Sequence, residues 1–119
     1  MTTDDELSLT FAALADPTRR AILARLERQP TATVSELATP LTVKLPAVMK
    51  HLAVLAAAGL ITRTKSGRIV TVRLRPAPMR QAMSWLSRYE RFWSTSLDRL
   101  TAYAEAREAA AKSDKTRER

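Results

Sequence analysis

The stretch Leu45–Leu60, LPAVMKHLAVLAAAGL, constrains the fold of this chain more than any other. Leu45, Val48, Met49, Leu52 and Leu55 recur at spacings of three and four, the period that gathers side chains on one face of a helix. Pro46 lacks an N–H and is tolerated only in a helix's first turn, which sets the start between Val43 and Leu45. Gly59 supplies the stop, so the helix occupies 45–58. The same wheel predicts that the Leu45–Leu55 stripe is buried and turns Ala47, Lys50 and Val54 outward, with His51 at their edge.

The flanks fix what this helix belongs to. Thr33-Val34-Ser35-Glu36 fits a capping box, with a hydroxyl at the N-cap and Glu at N3. It opens a short helix from Val34 to about Thr39, with Leu37 and Ala38 inward. Thr39-Pro40-Leu41-Thr42 is a turn, because the residue before Pro avoids the α region. Short helix, turn and longer helix make a helix-turn-helix unit. After Gly59 the period changes to two. Leu60 to Lys65 and Ile69 to Arg75 alternate around a Lys65-Ser66-Gly67-Arg68 tip, which predicts a β-hairpin over 62–74. A hairpin directly behind such a helix is the wing of a winged helix.

Two helices precede this unit and one follows it. Residues 1–6 are polar and read as a flexible N-terminus. Leu7, Phe11, Leu14 and Ala15 carry a first helix. Asp16-Pro17 places an N-cap and an N1 proline at the start of a second, with Ile22, Leu23 and Leu26 buried. Its Arg19, Arg20, Arg25 and Arg28 fall largely on the wet side, and Gln29 to Ala32, with Pro30, ends it. Pro76-Ala77-Pro78 breaks the hairpin, and one long helix is expected from Met79 to about Ala111. Met79, Met83, Leu86, Trp93, Leu97, Leu100 and Ala104 follow a four–three spacing interrupted only by Glu90. Such a seam exceeds what a small domain covers alone. It predicts a homodimer interface of Leu7, Phe11, Leu14, Met83, Leu86, Trp93, Leu97 and Leu100; the plainer alternative packs the seam on the chain's own core. The expected fold is mainly α with a small β-hairpin, five helices plus a wing, in one domain over 7–104. Residues 105–119 read as a helix end and a charged, disordered tail.

Charge is segregated. The chain has a formal net charge of +8, yet no Asp or Glu occurs from Leu37 to Tyr89. That window carries Lys44, Lys50, Arg63, Lys65, Arg68, Arg73, Arg75, Arg80 and Arg88, so the whole excess comes from one contiguous segment. A helix with small and cationic outward residues, followed by a basic hairpin, suits a DNA major groove and the phosphates beside it. The candidate DNA-contacting residues are Thr42, Lys44, Ala47, Lys50, His51, Arg63, Lys65, Arg68 and Arg73. Lys50 is the first choice for a groove contact, and Lys44 for a phosphate. Thr42 and Ala47 are small enough to let the backbone approach. Arg68 and Lys65 suit phosphates or the minor groove, whereas Arg63, Arg73 and Arg75 could also merely coat a strand. His51 either touches DNA or packs beside its helix.

Other classes are disfavoured. Cysteine is absent and there is one histidine, so no disulfide, thiolate zinc site, metal cage or nucleophile–base pair is expected. No catalytic residue, cofactor or metal is assigned. No apolar run approaches the ~18 residues of a membrane span. The N-terminal MTTDDELSL lacks the basic region of a signal peptide, which points to the cytoplasm.

Three stretches resemble the ArsR-type winged-helix transcriptional repressors. Leu14-Ala-Asp-Pro-Thr-Arg-Arg-Ala-Ile-Leu23 resembles the family's opening motif. Leu45-Pro-Ala-Val-Met-Lys-His-Leu52, with Val54-Leu55 and Ala58-Gly59-Leu60, resembles its recognition helix, and Gly67-Arg68 with the following strand its wing. The likeness runs over roughly residues 7 to 104. It implies five helices and a wing, a dimer built on the first and last helices, and an operator with two-fold symmetry. Met49 and Lys44 stand where many members have Ser, and Met49 suggests core packing. Ser35-Glu36-Leu37-Ala38 has no thiol and the last helix no histidine, so none of the family's metal residues is carried over. The expected function is a sequence-specific, double-stranded-DNA-binding regulator, a dimeric repressor. A non-specific architectural DNA-binding protein, or an interaction module or antitoxin using the long helix, are the alternatives. The sequence names no effector: Trp85, Tyr89, Phe92 and Trp93 suit dimer core better than a pocket for an apolar molecule.

Overall fold

The computed structural model describes residues 3–117. The chain divides between Met83 and Ser84 into two compact units. Residues 1, 2, 118 and 119, part of the expected flexible ends, lie outside the described residues.

In the first unit, α1 (Thr3–Leu14) begins well before the apolar spacing predicts, and residues 3–6 are helical rather than frayed. Asp4, Asp5 and Glu6 stand in its first turn, where negative charge complements the helix dipole. Its last turn holds no basic residue of its own. The open carbonyls there are taken by the next helix: Arg19 Nη2 donates to Ala12 O (2.9 Å), Arg19 Nε to Ala13 O (2.8 Å) and Arg20 Nη1 to Leu14 O (2.7 Å). Arg20 is exposed and Arg19 half-buried, so both cap α1 from the wet side of α2. The second helix, α2 (Pro17–Arg28), starts as predicted: Asp16 is the N-cap and accepts from Arg19 N at 3.0 Å, with Pro17 at N1. Ile22, Leu23 and Leu26 are buried.

A strand absent from the sequence expectation comes next. In place of a plain connector, Thr31–Thr33 forms β1, paired antiparallel to β3 (Ile69–Leu74) in the register Ala32↔Val72. With β2 (Ile61–Ser66) this gives a three-stranded antiparallel sheet in the order β1-β3-β2. Pro30 O accepts from Leu74 N at 2.8 Å, extending the ladder. Thr33 then caps α3 (Val34–Ala38) by the full capping box, its Oγ1 accepting from Glu36 N while Glu36 Oε1 accepts from Thr33 N.

The recognition-type helix α4 is Leu45–Ala57. It closes with both bonds of a Schellman motif: Leu60 N to Leu55 O and Gly59 N to Ala56 O, each 3.0 Å. Gly59 takes φ +76°, and Leu55 and Leu60 are fully buried beside it. The β2–β3 turn has Gly67 at φ +61° in its first central position, the type II′ pattern that matches strand twist. Val48, Leu52 and Leu55 from α4 meet Ile22, Leu26, Leu37, Leu60 and Val72 in one core, and each such side chain contributes about 1.5–3 kcal/mol by leaving water.

The expected single last helix is two. It starts at Ala77, two residues early, as α5 (Ala77–Leu86), whose Ala82 is buried. A 3₁₀ turn over Ser87–Tyr89 intervenes, immediately before Glu90, where the four–three spacing falters. In the second unit, α6 (Glu90–Arg117) remains helical where the charge run predicts a disordered tail. Trp85 and Tyr89 pack locally, their rings 5.2 Å apart and tilted by 55°. Farther along, Arg107 lies over the Tyr103 ring and donates to its hydroxyl at 3.0 Å.

Candidate nucleic-acid interface

The helix-turn-helix positions one helix face in the open. Along α4, Pro46, Met49, Lys50, Ala53, Val54 and Ala57 are exposed, a run of alternating steps of three and one that forms a single stripe. Val48, Leu52 and Leu55 lie on the other side in the core. Two residues of the predicted buried stripe are therefore placed differently. Leu45 is 56% and Met49 37% exposed, and both border a groove with Thr33, Val34, Ser35, Arg68, Ile69 and Val70. The core is filled by one side chain per turn from α4, which leaves Leu45 and Met49 at its rim. Met49 does not pack in the core.

Lys44 is the N-cap, exposed and without a side-chain capping bond; its carbonyl accepts from Ala47 N (3.0 Å) and Val48 N (3.1 Å). Thr42 and Lys50 are exposed, and Ala47 is half-buried at the stripe's flank. On the wing, Arg63, Lys65, Arg68 and Arg73 are all exposed. Thr62 pairs with Arg73, and Ser66 with Ile69, so Arg63, Lys65 and Arg73 ride on a continuous ladder and Arg68 sits in its turn. Among the described residues none of these six cations forms an ion pair.

His51 is placed apart from this group. Its side chain is only 20% exposed, with Nδ1 3.3 Å from Arg19 Nη1 and 3.8 Å from Asp16 Oδ2. The imidazole thus ties α4 to the α1–α2 corner instead of standing at the groove edge. Asp16 is held below the usual carboxylate range, chiefly by the N–H it accepts from Arg19 and then by the charges of His51 and Arg19. The capping role of Arg19 is not legible in the sequence, because the carbonyls it satisfies belong to a different helix.

The predicted dimer residues fall in both units. Leu7 and Phe11 are half-buried on α1, and Leu14 packs partly on the core beside Leu23, Leu74 and Met79. Leu86 is half-buried, whereas Met83, Trp93, Leu97 and Leu100 are more than half exposed. Among the described residues no group of three or more His, Cys, Asp or Glu is arranged to hold a metal ion. Nor is any helix long and apolar enough to cross a membrane.

The helix-turn-helix domain family matches residues 14–64, from the end of α1 through α4 into β2. Over 95 residues the chain is 41% identical to the HTH-type transcriptional regulator Rv2034 of Mycobacterium tuberculosis, covering 80% of this chain and 82% of that protein. Among solved structures, an ArsR family transcriptional regulator superposes with a TM-score of 0.71 at 43% identity, over 76% of this chain and 93% of its own. An ArsR-like transcriptional regulator from Rhodococcus sp. RHA1 gives 0.65 at 37% identity, over 86% and 95%. With the open α4 face and its wing, these similarities lead to one assignment: the chain belongs to the ArsR family of winged helix-turn-helix transcriptional regulators, a family of DNA-binding regulators and not of enzymes.

Proposed function

We propose that the chain is a homodimeric repressor that binds a two-fold symmetric operator, each protomer laying α4 in a major groove and its β2–β3 wing along the adjacent backbone. The observation that carries this is the acid-free span from Leu37 to Tyr89, in which Lys44 and Lys50 are exposed at and on α4 and Arg63, Lys65, Arg68 and Arg73 on the wing. Lys50 is the groove-facing cation. Lys44, Arg63, Lys65, Arg68 and Arg73 are the phosphate and minor-groove contacts, and Thr42 and Ala47 let the backbone come close. His51 supports α4 from behind. Dimerisation is favoured by Trp93, Leu97 and Leu100, which are 53%, 62% and 63% exposed on α6. Leu7, Phe11, Leu14, Met83 and Leu86 complete the proposed interface. An operator overlapping a promoter would make the bound dimer a repressor.

Selection of genomic fragments by the purified chain, with sedimentation of the free protein, tests this. The expected result is one enriched motif with two-fold symmetry and a stable dimer at micromolar concentration. Fragments retained without a common motif would indicate an architectural binder, and a monomer would remove the two-fold operator.

A further inference from the structure

The outward stripe of α4 has an unusual chemistry for a reading face. Of Pro46, Met49, Lys50, Ala53, Val54 and Ala57, only Lys50 carries a hydrogen-bonding group. Base pairs are told apart in the major groove by donors, acceptors and the thymine 5-methyl group, and an aliphatic side chain can detect only the last of these. Met49 and Val54 are the two large apolar groups here, 37% and 39% exposed, and they flank Lys50 on either side. They are five residues apart, about 7.5 Å along the helix axis, so they meet different base pairs. An exposed apolar stripe on a helix could equally dock a protein, but this one is framed by unpaired cations and by no carboxylate from Leu37 to Tyr89. That frame complements a polyanion.

Building on the DNA-binding reading above, we propose that Met49 and Val54 are specificity-determining residues that recognise thymines by their 5-methyl groups, with Lys50 as the single hydrogen-bonding probe between them. Each operator half-site then carries thymines at the positions these side chains reach, beside a purine acceptor for Lys50. Indirect support comes from the helix itself: Ala53 and Ala57 lack bulk, so the stripe can lie flush against base edges.

The test first deletes the methyl from the DNA, which leaves the protein itself unchanged. Duplexes bound from a randomised library are resynthesised with deoxyuridine replacing thymine one position at a time, which keeps base pairing and removes only the methyl. At one or more thymines per half-site affinity should fall roughly fourfold, the worth of one apolar carbon leaving water. That loss should disappear in Met49→Ala at one position and in Val54→Ala at another, both surface changes that leave the melting temperature nearly unmoved. Equal binding of thymine and uracil duplexes would overturn methyl recognition while leaving DNA binding intact. So would a uracil penalty unchanged in both variants. Failure to enrich any duplex would remove the DNA-binding reading and this one with it.

Discussion

Arg19 Nη1 lies 3.3 Å from His51 Nδ1, joining the α1–α2 corner to the middle of the exposed helix α4. The same guanidinium closes the C-terminus of α1 through Ala12 O and Ala13 O. Its fork of donors suits this task, and a lysine's single ammonium cannot reproduce it. Arg19→Met should therefore lower unfolding stability by about 1–3 kcal/mol, with Arg19→Lys recovering little of it. Urea unfolding monitored by circular dichroism measures both. Midpoints equal to that of the parent would show the corner to be held by packing alone.

Acidification should unfold the chain partly through its helix caps. Asp16 and Glu36 are both held below their ordinary values, near 3.8 and 4.5. Asp16 is lowered first by the Arg19 N–H, and Glu36 first by the Thr33 N–H and then by the Thr33 hydroxyl. Each binds its proton less tightly folded than unfolded, so the stability it confers is complete above the unfolded value and drains away as pH falls through the lowered folded one. Asp16→Asn with Glu36→Gln keeps both capping geometries but removes the titration. Thermal melts between neutral pH and about pH 3 should therefore show a steeper acid loss for the parent than for the double variant. Parallel curves would assign the acid loss to other carboxylates.

Gly59 ends α4 with φ +76°, and a Cβ there would meet Pro78 Cγ at an unstrained 3.5 Å. The cost of a side chain is thus conformational and not steric. Gly59→Ala should destabilise by about 1–2 kcal/mol, and Gly59→Asn by less, because Asn visits the left-handed region more readily. Chemical denaturation of the two variants distinguishes these values; equal losses would point to packing against α5 as the cause.

Lys50 and Arg68 should fail differently when removed. Lys50→Ala should cost about 1–3 kcal/mol of operator affinity and relax sequence preference at one position. Arg68→Ala should weaken all duplexes alike and reduce the salt slope by about one. Fluorescence anisotropy titrations at graded salt separate the two effects. Identical slopes and affinities in parent and variants would withdraw both assignments.

Much of this architecture is legible in the sequence because local signals agree. Asp16-Pro17, Thr33 with Glu36, Gly59 and Gly67 each mark a boundary by stereochemistry, and all four are used as expected. Strand β1 was hidden because three residues between Pro30 and the Thr33 cap are too few to show alternation; its partner lies some forty positions away. The face of α4 was misjudged at Met49 for a different reason. A helix whose outer stripe is itself mostly apolar gives hydropathy no contrast by which to orient it, and only the filled core around Val48, Leu52 and Leu55 does so. The 3₁₀ turn at Ser87–Tyr89 was invisible because its residues continue a helical spacing on both sides, with Glu90 as the one discordant sign. The contact between Arg19 and His51 is not legible in the sequence, since a cation and an imidazole reveal their partners only once separate helices have packed.

Dimethyl sulfate footprinting of the chain on a selected duplex tests the central claim most directly, because the reagent reads guanine N7 in the major groove. Insertion of α4 from both protomers predicts two protected patches separated by about one helical turn, each weakened by Lys50→Ala. A duplex that is bound tightly but shows no protection of guanine N7 would contradict placement of this helix in the major groove.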